Sequence, residues 1–210
     1  MTLTIEQMYE MQKELDAKII KEKGLEGQDL LQNTVLALQV EIGELANEWR
    51  GFKHWSDRRQ PRYGLNARIP CDGCGGRGFW FDGERETCTI CNAKGEVFSP
   101  LIMEYVDCLH FFLSIARQLD LSQADLNVHI TMDEAQTAAM FTELLNLVGL
   151  LNGESFWIKP EAVNKPECFR CALAIFLRLG EQCLGFSFEQ IAEAYAAKNA
   201  VNHERQTNGY

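Results

Sequence analysis

Residues 40–55 read V-E-I-G-E-L-A-N-E-W-R-G-F-K-H-W, and Glu41, Glu44 and Glu48 recur there at helical spacing among Val40, Ile42, Leu45 and Trp49. On an α-helix these three carboxylates fall within about 60° of one another. A second stretch, E-Y-V-D at 104–107, sets Glu104 and Asp107 on one face with Phe111 and Ile115. Ile102, Met103, Val106, Leu109, Phe112 and Leu113 make that helix apolar nearly all round, and such a helix is usually buried. Carboxylates on a buried helix need a cation, because an isolated buried charge is very costly. No Lys or Arg occurs from Gly27 to Trp49 or from Pro100 to Ala116. Two antiparallel helices, each with acids at i and i+3, can turn Glu41, Glu44, Glu104 and Asp107 into one cleft. Oxygen-only ligands suit Mg²⁺ or Mn²⁺. A metal held this way, with water on its remaining positions, is a common means of holding nucleotide phosphates. Glu48 is left either as a further ligand or as a solvated structural acid.

A different chemistry lies between these helices. C-D-G-C-G-G-R-G-F begins at Cys71 and C-T-I-C-N-A-K-G at Cys88, giving C-x2-C-x13-C-x2-C. Each pair offers two thiolates from one tight turn, so Cys71, Cys74, Cys88 and Cys91 complete a tetrahedral Zn²⁺ site. Four cysteine ligands leave no open position, so the zinc is expected to be structural. So short a segment needs the metal to stay folded. The first pair resembles the cysteine-rich zinc domain of J-domain chaperones, a likeness confined to this segment. A third pair, Cys168 and Cys171, has no further ligands at good spacing and reads as small apolar residues of a helix.

The elements that must position these groups are mostly helical. A capping box of Thr4 and Gln7 opens a helix to Lys23, with Ile5, Met8, Met11 and Leu15 on one stripe. Further helices are expected over about 29–50, 100–119, from Asp133 to about Leu151, over 166–184, and from a Ser187–Gln190 capping box to about His203. A shorter one follows Ser122. Strand signals are confined to the Cys segment, where F-W-F at 79–81 suggests hairpin pieces. The expected fold is an all-α bundle formed by residues 1–56 and 100–210, with an inserted zinc-ribbon-like module over 67–98. No internal repeat is evident beyond the paired acidic motifs.

The chain has 210 residues, a net charge of −10 and 46% hydrophobic residues. That composition suits a folded globular protein, and the acidic balance argues against nucleic-acid or anionic-membrane binding. No apolar run has the length of a membrane helix. M-T-L-T-I-E-Q lacks a basic, apolar leader, and with eight cysteines this sets the expectation of a cytoplasmic, reducing location.

E-I-G-E-L-A-N-E-W-R-G-F-K-H-W followed by E-Y-V-D-C-L-H-F-F-L-S-I-A resembles the dimeric, all-α dUTPases of the all-α nucleoside triphosphate pyrophosphatase superfamily. M-Q-K-E-L-D at 11–16 and K-N-A-V-N-H-E-R-Q-T-N-G-Y at 198–210 resemble that family's first and last motifs. The resemblance implies a homodimer that hydrolyses dUTP to dUMP and pyrophosphate, limiting uracil incorporation into DNA. It implies Mg²⁺ on Glu41, Glu44, Glu104 and Asp107, with Glu44 orienting or deprotonating the attacking water. It further implies Gln12 against uracil, Trp55 walling the base, and Phe111 packed on the deoxyribose. Lys53, Lys198, Asn202, Arg205 and Tyr210 would hold sugar and phosphates. Independently, Lys198, Asn202 and Arg205 at i, i+4 and i+7 make one basic face on the last helix, suited to phosphate or to a solvated helix end. The chain departs from the family pattern in two places. About 45 residues separate the two acidic helices where relatives have a short loop. Asp16 stands where some relatives carry Asn, so uracil and cytosine both stay open as the base. A dCTP or broader nucleotide pyrophosphatase is therefore an alternative reading, and a non-enzymatic zinc-module interaction protein is another.

Overall fold

The computed structural model describes residues 2–128, 136–153 and 163–209. Six α-helices occur among them: α1 (Ile5–Lys23), α2 (Leu31–Trp49), α3 (Pro100–Gln118), α4 (Thr137–Leu150), α5 (Lys165–Arg178) and α6 (Phe188–Thr207). Four short strands, β1 (Arg68–Pro70), β2 (Phe79–Asp82), β3 (Glu84–Thr87) and β4 (Glu96–Phe98), lie between α2 and α3. The fold is all-α, and among the described residues the strands are confined to the cysteine segment.

Local chemistry sets most helix ends. Both halves of the α1 box form: Gln7 N donates to Thr4 Oγ1 (3.3 Å) and Thr4 N to Gln7 Oε1 (2.9 Å). Gly24 ends that helix in the left-handed region at φ 65°. The Ser187–Gln190 box opens α6, which runs one turn past His203 to Thr207. α2 starts two residues later than expected: Asp29 stays outside it, its Oδ1 accepting from Leu31 N at 3.0 Å. The expected Asp133 cap lies outside the described residues, and the described helix begins at Thr137.

The expected single helix over 166–184 is two pieces. α5 gives way to a π-helical turn at Leu179–Cys183. The Tyr105 hydroxyl donates to the Phe176 carbonyl at 3.2 Å. Its ring lies where a Cβ on Gly180 would come within 2.5 Å of it. A side chain entering the hydrogen-bond ladder beside a glycine widens the turn.

α3 is the central helix. It packs against α2, α6 and α1, while α4 bridges α2 and α5. Ile102, Tyr105, Val106, Leu109, Phe112 and Leu113 are fully buried, so α3 is covered nearly all round, as its composition requires. Each such side chain contributes about 1.5–3 kcal/mol through burial. Rigid placement of α3 between α2 and α6 fixes where Glu104 and Asp107 stand.

The cysteine segment hangs on a β1–β4 neck that pairs Arg68 with Phe98 and Pro70 with Glu96. Ser99 N, closing the neck onto Ala67 O at 2.8 Å, leads straight into α3, which Ser99 caps. Arg68 ties the neck to the bundle through Glu193 on α6 (2.8 Å). β2 and β3 form the hairpin expected of F-W-F, with Trp80 opposite Glu86.

Candidate active site

Glu41 on α2 faces Glu104 and Asp107 on α3, and ligand oxygens of the three lie within 4.8 Å of one another. The three are half-buried. Burial, then the charges of Asp107 and Glu44, pushes the Glu41 carboxyl up to about 7. Burial, then Asp107, Glu44 and Glu41, pushes Glu104 to about 7 as well. Asp107 is raised by burial, against the pull of Lys198, whose Nζ donates to Asp107 Oδ2 at 2.5 Å. Such a crowd of desolvated oxygen donors has the chemistry a divalent cation requires. Glu44 is exposed and stands outside the set of three, although its charge reaches both glutamates. Glu48 lines a separate cleft with Arg50, Arg58, Arg59 and Arg62.

Glu41 and Asp107 also line a cleft of about 270 Å³. Its other walls are Gln12, Leu15, Asp16 and Ile19 of α1, His110, Phe111 and Ser114 of α3, and Lys198, Asn202, Arg205 and Gln206 of α6. Thus Gln12, Asp16, Phe111, Lys198, Asn202 and Arg205 line one cleft, with a cationic α6 face opposite the acids. Lys53 and Trp55 are not brought into this cleft. Trp55 is 67% exposed on the turn after α2, edge-on to Phe52 and His54. Lys53 donates to Asn47. Tyr210 lies outside the described residues. Another cavity of about 310 Å³, between Ile5, Leu126, Ala174 and Phe188, holds none of the acid cluster.

The deep end of the cleft contains residues that spacing alone did not single out. Gln12 Nε2 donates to Asp16 Oδ1 (2.8 Å). Gln12 Oε1 accepts from His110 Nδ1 (2.7 Å) and Tyr195 OH (3.1 Å). Asp16 Oδ2 accepts from Ser114 Oγ and Arg117 Nε, each at 2.7 Å. His110 stacks on Tyr195 at 4.1 Å, and burial, then Lys198, holds its imidazole down at about 3, so it is neutral. The available signal was His110 one turn after Asp107, with Gln12 and Asp16 one turn apart.

The four cysteines form a second cluster, all buried, with Sγ atoms within 4.8 Å of one another. Cys71 and Cys88 Sγ are 3.9 Å apart, and Cys74 and Cys91 3.8 Å, the edge length of a sulfur tetrahedron around Zn²⁺. Gly78 N and Gly95 N donate to Cys74 and Cys91 Sγ at 3.1 and 3.2 Å. Both glycines sit at φ +77°, where a Cβ would come 2.4 Å from a backbone oxygen across the module. The two halves are copies: Cys71 N bonds Gly95 O, Cys88 N bonds Gly78 O, and Arg77 N and Lys94 N bond Cys74 O and Cys91 O. This corrects the expectation of no further internal repeat, since only the cysteine and final glycine positions of the two halves are the same residue type.

The structure is thus an all-α bundle with a carboxylate cluster beside a cationic helix. More particularly, the chain belongs to the dUTPase family, whose model matches residues 4–65 and 92–210. The unmatched span, 66–91, holds all four clustered cysteines. No curated protein matches the chain in direct comparison.

Proposed function

We propose that this protein hydrolyses dUTP to dUMP and pyrophosphate with a divalent cation, Mg²⁺ or Mn²⁺. The observation that carries this reading is the desolvated set Glu41, Glu104 and Asp107, of which Glu41 and Asp107 line a cleft whose facing helix carries Lys198, Asn202 and Arg205. The donor set fits the metal: oxygen only, with Glu41 and Glu104 raised to about 7 by burial and then by neighbouring acids, whose repulsion a divalent charge relieves. When bound, the cation supplies charge neutralisation to the phosphates and makes water more acidic. Glu41, Glu104 and Asp107 would hold it, with Glu44 close by on α2. Glu44 orients the attacking water and accepts its proton, while the bond between the α- and β-phosphates breaks and its electrons leave with pyrophosphate. Lys198 leaves Asp107 for a phosphate oxygen, and Arg205 and Asn202 bind beside it. Phe111 packs on the deoxyribose, where a 2′-hydroxyl would clash. Gln12 meets the base, and Lys53 and Trp55 close over it from the turn after α2. Tyr210 joins the phosphate contacts.

Two further features belong to this proposal. The cysteine module binds a structural Zn²⁺ and forms a unit over 67–98 inserted into the catalytic bundle of 1–56 and 100–210. The protein works as a homodimer, supported by Leu36 and Val40, which stand 62% and 51% exposed one turn apart on α2.

The test is pyrophosphate release from each deoxynucleoside and ribonucleoside triphosphate, with Mg²⁺ and with EDTA. Mg²⁺-dependent turnover of dUTP above all others is expected. Equal or preferred turnover of dCTP replaces the substrate with the cytosine or broader alternative. No turnover by folded, zinc-loaded protein overturns the enzyme and favours an interaction role for the module.

A further inference from the structure

Away from the carboxylate cleft, the connection after α2 gathers positive charge in one place. Arg50, Arg58, Arg59 and Arg62 line a cleft of about 540 Å³ that also takes in Glu48 and Asp57. Acids outnumber bases in the chain by 30 to 20, and other arginines find them: Arg68 meets Glu193, Arg117 meets Asp16 and Arg170 meets Asp125. Among the described residues, none of the four cleft arginines is ion-paired to a carboxylate, although Glu48 and Asp57 share the cleft. Four like charges around one cleft repel one another, and a bound anion relieves that repulsion.

These arginines stand on a folded turn. Arg50 caps α2 in the left-handed region at φ 64°, its N–H bonded to Ala46 O at 2.9 Å. Its Nε donates to the Arg58 carbonyl at 3.0 Å, which ties the two ends of the 50–58 turn together and keeps both terminal NH₂ groups for another acceptor. Arg58 N donates to Ser56 Oγ at 3.1 Å. Pro61, buried between exposed Arg59 and Arg62, fixes the backbone there, and Gly64 N closes onto Pro61 O at 3.1 Å. The Arg62 guanidinium lies 5.0 Å over the Tyr63 ring. A ligand entering this cleft meets donors whose backbone is already set, which lowers the ordering cost of binding.

We propose that the arginine cleft is a binding site, separate from the carboxylate cleft, for a small oligophosphate: two or more linked phosphoryl groups, free or as the tail of a nucleotide. The cleft has the volume of a small-molecule site. A guanidinium grips phosphate oxygens through paired N–H donors, and a phosphoryl group has oxygens for about two such forks, so four arginines match two linked groups. The chain's charge of −10 selects the small ligand over a nucleic-acid strand. Pyrophosphate keeps all its charge within the cleft, whereas a strand would carry its next phosphates across an acidic surface. No residue of the carboxylate cluster or of α6 lines this cleft, so the site does not rest on the reaction proposed above.

The experiment is calorimetric titration of the zinc-loaded protein in Mg²⁺-free buffer with pyrophosphate, orthophosphate, a non-hydrolysable nucleoside triphosphate analogue and a single-stranded oligothymidylate. The Arg59→Ala, Arg62→Ala variant tests the cleft; both side chains are exposed, so their loss opens no cavity. The Lys198→Ala, Arg205→Ala variant controls for the cationic face of α6. Wild type is expected to bind pyrophosphate at least about 10-fold tighter than orthophosphate, and the Arg59/Arg62 variant to lose at least about 10-fold in pyrophosphate affinity. The Lys198/Arg205 variant should keep that affinity. The analogue should bind through the same two arginines, and its rank against pyrophosphate tells whether a nucleotide tail or the free anion is the better ligand. No binding by wild type, equal binding of orthophosphate, or a loss that follows Lys198 and Arg205 instead overturns the proposal. Tighter binding of the oligothymidylate through Arg59 and Arg62 overturns it in favour of a nucleic-acid surface. Turnover of dUTP should be unchanged in the Arg59/Arg62 variant, and a collapse there would put these arginines in the catalytic site and end their separateness. Absence of turnover in wild type would refute the pyrophosphatase reading and leave the binding result to decide this one.

Discussion

At the residue scale, the roles proposed for Glu44 and Phe111 can be tested separately. Glu44 is exposed and outside the tight carboxylate set, so Glu44→Gln removes a base without opening a cavity. Its expected effect is a loss of at least about 100-fold in kcat for dUTP at unchanged circular dichroism. Substantial remaining turnover would remove the proton-accepting role. Phe111 is partly buried on the cleft wall, and Phe111→Ala should lower the dUTP:UTP ratio of kcat/KM by about 10-fold. An unchanged ratio would count against packing on the deoxyribose. The carboxylates were legible because two apolar stretches, 27–49 and 100–116, carry no Lys or Arg and leave their acids no local partner. His110 was not. A lone polar residue on an apolar helix has the same pattern as core, and what marks His110 is an amide 98 residues away in sequence.

At the scale of elements, capping chemistry made the starts of α1 and α6 readable, because a Ser or Thr and a Gln three residues on are a local signal. The break at Leu179–Cys183 was hidden because its cause, the Tyr105 hydroxyl and ring, comes from another helix. The cysteine module was legible in its ligands and not in its duplication, which lives in backbone bonds that share few side chains. Its physics makes a sharp expectation. Cys71 contributes one of four buried sulfurs to a segment whose other buried apolar support is slight, with Trp80 and Val97 packed beside it. Cys71→Ser should lose stoichiometric zinc and expose the module to limited proteolysis between β1 and β4, while helical circular dichroism persists. Unchanged metal content would refute the site, and collapse of the helices would show that the bundle depends on its insertion.

At the scale of the whole molecule, the acid cluster links stability to pH and to metal. Burial and mutual repulsion hold Glu41 and Glu104 at about 7, against an ordinary carboxyl value of 4.5. A folded-state pKa above the unfolded one means that the native protein binds more protons than the unfolded chain in between. The contribution of these two groups to stability is therefore fully present below about pH 4.5 and is lost as pH rises through about 7. Lys198, ion-paired to Asp107, offsets part of that loss and does not neutralise the cluster. A divalent cation reverses the trend, because it binds the ionised carboxylates and only in the native fold. Thermal melts with EDTA should thus show Tm falling between about pH 5 and 8 relative to a Glu41→Gln, Glu104→Gln variant, which lacks both titrations. Mg²⁺ should raise wild-type Tm increasingly over the same interval and leave the variant unmoved. A Mg²⁺ stabilisation that is equal at pH 5 and pH 8, or that survives in the variant, would place the cation elsewhere in the molecule and detach the acidic cleft from the proposed chemistry.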